Sequence, residues 1–118
     1  MKIRLAQINP TVGDIDGNAD LIVQSIQTSP ESSIVVFPEL SITGYPPQDL
    51  LLNSKFIDKV EQKLNMIKQH VGKRVVIVGL PRFSNGKLFN SAAVINDNDI
   101  AGYHDKALLP TYDVFDEK

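Results

Sequence analysis

The 118-residue chain contains no cysteine and only two histidines. Without a thiol, these residues can supply no disulfide, no thiolate metal ligand and no cysteine nucleophile. His70 and His104 lie far apart and no H-E-x-x-H spacing occurs, so no metal site is expected. No apolar run approaches the roughly 20 residues of a membrane span. The opening "MKIRLAQINP" has neither the apolar core nor the cleavage site of a signal peptide. The formal net charge is -2, and the 12 Lys and Arg are scattered, leaving no basic face for nucleic acid or an anionic membrane. These absences point to a cytoplasmic protein with no nucleic-acid and no membrane partner.

What is present describes an ordinary compact domain. With 42% hydrophobic and 22% charged residues, the chain reads as a single domain with a core of its own and no linker, repeat or low-complexity segment. "KIRLAQINP" reads as a buried strand stopped by Pro10. From about Asp16, Ala19, Ile22, Val23 and Ile26 recur at spacings of three and four, behind Asp and Asn residues suited to capping, and predict a helix closed before Pro30. "SIVVF" is a continuous apolar run of strand length, the pattern of a strand covered on both sides. Phe56, Val60, Leu64, Ile67 and Val71 predict a second helix stopped by Gly72. "RVVIVGL" repeats the buried-strand pattern and is expected to end at Pro81. Asn85-Gly86 predicts a hairpin into "LFNSAAVIN", and the polar "NDND" a second turn into "IAGYHDKALL". Strands alternating with helices imply a parallel start, and the closing hairpins imply antiparallel additions, so a mixed α/β sheet is expected.

Two residues stand out for chemistry. Glu39 follows "IVVF" in "FPELSITGYPP", at the carboxyl end of a strand, where ligands of open α/β sheets bind. Pro38 fixes its own φ and biases Phe37 toward extended geometry, so the carboxylate is presented from a stiff turn. The competing interpretation is a solvated loop carboxylate. Lys106, in "HDKALLP", ends the last expected strand and could reach the same edge of the sheet. Taken alone it is a surface charge; beside Ala107, Leu108 and Leu109 it could be a half-buried ammonium that pairs a carboxylate or stabilises an oxyanion. Two other constellations fail. "DIDGNAD" lacks the Gly and the bidentate Glu of a calcium loop, having Ala19 and Ser25 in their places, and is expected to cap the first helix instead. His104-Asp105 has no serine in a nucleophile-elbow sequence to work with.

The loops "FPELSITGYPPQDLLL" and "KALLPTYDVFDEK", with the opening "KIRLAQINPTVGDIDGN", together resemble the glutaminase domains of glutamine-dependent NAD synthetases, in the nitrilase superfamily. F-P-E at a strand end, followed by a lysine before a short apolar stretch, is the general superfamily pattern. The "TGYPPQDLLL" and "LPTYDVFDEK" extensions are more specific to the synthetase branch. The resemblance spans all 118 residues and implies a fold, a site and a reaction. The fold would be part of an αββα sandwich: a truncated, mixed, mostly parallel sheet with flanking helices. The family's triad is Glu, Lys and Cys, which by resemblance makes Glu39 the general base and Lys106 the cation beside the tetrahedral intermediate. Tyr45 and Tyr112 match aromatic positions that line the family's glutamine pocket or ammonia path.

Residues 1–118 would then be the amino-terminal portion of the glutaminase domain, without the cysteine and without the ATP-dependent synthetase domain. The parent reaction releases ammonia from glutamine to amidate nicotinic acid adenine dinucleotide. ATP and magnesium belong to the absent domain, and no cofactor is expected in this chain. Alone it is expected to be inactive. A sheet face left bare by truncation would favour self-association, so a homo-oligomer is expected. The alternatives are a catalytically dead binding module and a superfamily amidase for another substrate.

Overall fold

The computed structural model describes residues 2–44, 48–51 and 53–109. Among these residues five strands form one sheet in the order β1-β2-β3-β4-β5, namely β1 (Ile3–Leu5), β2 (Ile34–Val36), β3 (Val75–Ser84), β4 (Lys87–Asn96) and β5 (Asp99–Leu108). The β1/β2 and β2/β3 pairings are parallel, and each is separated in sequence by a helix: α1 (Ile15–Gln27) and α3 (Ser54–Lys68) respectively. The β3/β4 and β4/β5 pairings are antiparallel hairpins. A short helix, α2 (Gln48–Leu51), precedes α3 and has no counterpart in the periodicity of the sequence.

Local chemistry explains most element boundaries. Asp14 caps α1 by accepting from the Gly17 N–H at 3.0 Å, so the acidic loop "DIDGNAD" does start a helix. Asn53 caps α3 the same way, its side-chain oxygen accepting from Lys55 and Phe56. Both hairpin turns place two consecutive residues in the left-handed region: Asn85 and Gly86 at φ 53° and 76°, Asp97 and Asn98 at 54° and 57°. That backbone matches the right-handed twist of the flanking strands, and Asn, Asp and Gly tolerate it best.

The core lies on one side of the sheet. Ile15, Ala19, Ile22 and Ile26 of α1 and Val60, Leu64 and Ile67 of α3 pack on Val35, Val76, Val78, Ala93 and Ile95 from alternate strand positions. Ile22, Ile26, Ile67, Val35, Val76 and Ile95 are fully buried, and burying each such side chain is worth roughly 1.5–3 kcal/mol.

Two expectations need correction. The early strands are not covered on both faces among the described residues. Ile3 and Leu5 are 69% and 70% exposed, and the residues in register with them, Ile34, Val36, Val75, Ile77 and Val94, are only half-buried. A continuous apolar run thus marks a face able to accept a second layer, which the helices here do not supply. Pro81 does not end β3 either, since the strand runs on to Ser84. The β2 ladder stops at Ile77 and the loop after β2 bonds β3 only as far as Gly79, so at Pro81 no described strand flanks β3 on that side and a residue without an N–H costs little.

Candidate active site

Glu39 sits in the loop that carries the chain off the end of β2 and across β3. The Phe37 N–H donates to the Ile77 carbonyl at 2.9 Å, extending the parallel ladder by one residue, and the Ile42 N–H donates to the Gly79 carbonyl at 3.2 Å. Between these two anchors the loop lies directly on Gly79. A Cβ at that position would come within 2.4 Å of the Leu40 nitrogen and 2.7 Å of the Pro38 carbonyl oxygen, so only glycine allows the approach. Ser41 adds a clamp, its hydroxyl accepting from the Gly79 N–H at 3.2 Å. Leu40, fully buried, holds a left-handed φ of 50°, a costly conformation for a leucine. Its carbonyl accepts from Thr43 and Gly44, closing the turn that aims Glu39 outward. The side chain of Asn18, buried on α1, bonds both the N–H and the carbonyl of Thr11 and also the Ile42 carbonyl, tying this loop to the opening one.

Lys106 arrives from the other end of the sheet. Asn90 pairs with Ala107 and Ser91 with Asp105, so Lys106 is the extra residue of a β-bulge. Bulges re-aim side chains, and the Lys106 Nζ lies 3.2 Å from Glu39 Oε2. The two residues singled out in the sequence thus meet, on the sheet face opposite the helices.

A third group in the cluster escaped sequence reasoning. The Asn90 Nδ2 donates to the same Glu39 Oε2 at 2.8 Å. Asn is disfavoured inside strands, and an amide interrupting the apolar "LFNSAAVI" run is the signal that could have flagged it. Hydrogen bonding from Asn90, and then the hydrogen bond and charge of Lys106, hold the Glu39 carboxyl below its ordinary value of 4.5. Glu39 is therefore ionised at neutral pH, an acceptor able to take a proton. The side chains of Glu39 and Lys106 remain 46% and 39% exposed, so a ligand can reach both.

A second polar cluster occupies the helix side of the same strands. Arg82 pairs with Asp105 at 3.0 Å and stacks over the Tyr103 ring at 4.0 Å, while the Ser91 hydroxyl donates to Asp105 at 2.6 Å. Asp105 is thus engaged by Arg82 and Ser91, and no Ser-His-Asp line forms with His104. Tyr45 and Tyr112 lie outside the described residues.

The mixed α/β sheet with its flanking helices fits the fold expected of a carbon-nitrogen hydrolase. The model of that family matches residues 2–117, and the chain belongs to it. It is 42% identical over 120 residues to a glutamine-dependent NAD(+) synthetase of Aquifex aeolicus, the match covering 99% of this chain and 21% of that protein. The solved structure of the glutamine-dependent NAD+ synthetase of Acinetobacter baumannii superposes with a TM-score of 0.77 at 35% identity, over 98% of this chain and 22% of that one. An amidase of the nitrilase superfamily from Nesterenkonia shares the fold, with a TM-score of 0.75 at 21% identity over 90% of this chain and 43% of its own. The chain therefore spans about a fifth of the length of the synthetases it matches.

Proposed function

We propose that this chain is the amino-terminal part of the glutamine-hydrolysing domain of a glutamine-dependent NAD synthetase, with Glu39 as general base and Lys106 as the cation of the reaction centre. The observation that carries this reading is the 3.2 Å approach of the Lys106 ammonium to the Glu39 carboxylate across the end of the sheet. The named relatives supply the substrate class, a carboxamide.

In the proposed reaction Glu39 takes the proton of a cysteine thiol contributed from outside these 118 residues, because none exists within them. The thiolate attacks the carboxamide carbon of glutamine, and charge develops on the carbonyl oxygen. An ammonium has three N–H donors; Lys106 directs one to Glu39 and offers another to that oxygen. The proton held by Glu39 passes to the leaving nitrogen, ammonia departs, and water hydrolyses the glutamyl thioester to glutamate. Tyr45 and Tyr112 would line the glutamine pocket or the ammonia path. The released ammonia would amidate nicotinic acid adenine dinucleotide in a separate domain that uses ATP and magnesium; no residue described here is assigned to either. The setting would be cytoplasmic. The chain on its own would be inactive and would self-associate through its bare sheet face.

The test is glutamine hydrolysis by the full-length protein carrying Glu39→Gln or Lys106→Met. Each is expected to lose on the order of 100-fold or more in kcat with the fold intact. Unchanged turnover in both variants, or glutamate release by the 118-residue chain alone, overturns the assignment.

A further inference from the structure

We propose that Asn90 is the positioning residue of the Glu39 carboxylate, its side-chain amide deciding which carboxylate oxygen is left to take a proton. The inference deepens the reading of Glu39 as a general base and names the group that makes it one of fixed direction.

Glu39 and Lys106 are both long and substantially exposed. Two such side chains gain little by pairing and surrender much rotamer freedom to do so, so neither can hold the other in one geometry. Asn90 differs in every respect. It is 9% exposed, has a short side chain, and lies in β4 between two ladders, opposite Pro81 of β3 and Ala107 of β5. Its Nδ2, 2.8 Å from Glu39 Oε2, is a rigid anchor for a mobile carboxylate.

Both donors converge on Oε2, since Lys106 Nζ also approaches that atom. Among the described residues no partner engages Oε1. The oxygen bonded by two donors is the poorer proton acceptor, which leaves Oε1 as the basic atom.

The cost to the fold argues against a merely structural asparagine. With Nδ2 turned to Glu39, the Asn90 Oδ1 is buried and has no hydrogen-bond partner among the described residues. An unpaired buried acceptor is destabilising, and the neighbouring positions on this sheet face, Ala92 and Val94, are apolar. A leucine would suit the sheet at least as well as an amide, whereas only a donor serves the carboxylate.

The experiment is NMR on the 118-residue chain, without substrate, so its outcome is independent of whether the full-length protein hydrolyses glutamine. The Glu39 three-bond couplings and the carboxyl titration are compared in the parent chain, Asn90→Leu and Lys106→Met, with melting temperature as a second readout. In the parent, Glu39 is expected to show the couplings of one rotamer, and the Asn90 side-chain amide protons should shift with the Glu39 titration midpoint. Asn90→Leu should average the couplings and raise the midpoint toward the ordinary glutamate value, at an equal or higher melting temperature. Lys106→Met should raise the midpoint while leaving the couplings of one rotamer. Couplings unchanged in Asn90→Leu overturn the proposal. If that variant does not fold, parent-chain amide protons that ignore the Glu39 titration overturn it equally.

Discussion

Replacing Gly79 by alanine tests how the loop that carries Glu39 is seated. The added Cβ would sit 2.4 Å from the Leu40 nitrogen, 2.7 Å from the Pro38 carbonyl oxygen and 2.9 Å from the Glu39 carbonyl carbon. All three are backbone atoms, so no side chain can swing aside. Ordinary contact begins at 3.4 Å, and the loop must therefore lift by about 1 Å, or β3 must yield by the same distance. The Ile42 N–H bond to the Gly79 carbonyl and the Ser41 clamp would be strained together. Overpacking of this kind costs about 1–3 kcal/mol, which for a domain of this size lowers Tm by roughly 5–15 °C. The same lift withdraws Glu39 from the Asn90 amide, so the Glu39 midpoint should rise toward its ordinary value. For the glutamine hydrolysis proposed above, a 1 Å misplacement in the full-length protein should cost about 100-fold in kcat. The matched control is Gly102→Ala, where a Cβ meets nothing within 4 Å and Tm should be unaffected or slightly raised. Calorimetry and a carboxyl titration read both effects. A Gly79→Ala protein with the parent's Tm and Glu39 midpoint would refute the claim that this loop rests on the glycine.

Three further outcomes are expected. Asn18→Ala removes the side chain that bridges Thr11 and the Ile42 carbonyl, depriving the buried Ile42 carbonyl of that donor and untying the two loops. A loss of about 1–3 kcal/mol in urea unfolding is expected, and an unchanged midpoint would refute the bridge. Stability should also fall in acid. The Lys59 and Lys63 ammoniums beside Asp16, the Asn90 and Lys106 donors at Glu39, and the Ser91 and Arg82 donors at Asp105 hold all three carboxyls below their ordinary values of 3.8, 4.5 and 3.8. A depressed folded value means the stabilisation is complete above the unfolded value and is lost as pH falls through the folded one, so the decline should begin near about pH 4.5 and deepen below it. A flat urea midpoint across that range would contradict these ion pairs. Finally, the face bearing Ile3 and Leu5 should drive self-association of the chain at high concentration, weakened by Leu5→Lys. A monodisperse monomer by light scattering would rule this out.

Legibility followed the range of the interaction. Both long helices, the two hairpin turns and the mixed sheet could be read from the sequence because each depends on spacing or turn chemistry within a few residues. The apolar positions of α1 and α3 recur with the helical period, and Asn85-Gly86 carries its own backbone preference. Pro81 misled for a related reason: its cost depends on whether β3 has a neighbour on that side, which the proline cannot announce. The short α2 has too few residues to show a period.

The sequence by itself determined where both long helices and the strands begin, that Glu39 follows a strand on a stiff turn, and that these 118 residues supply no thiol. Tertiary structure alone decided that, among the described residues, helices cover one face of the sheet, that a bulge in β5 carries Lys106 to the carboxylate, and that Asn90 sits 2.8 Å beneath it. The first group follows from preferences a residue has with its near neighbours. The second follows from strand register, which brings together side chains from three separate strands and loops and leaves no mark at any one of them.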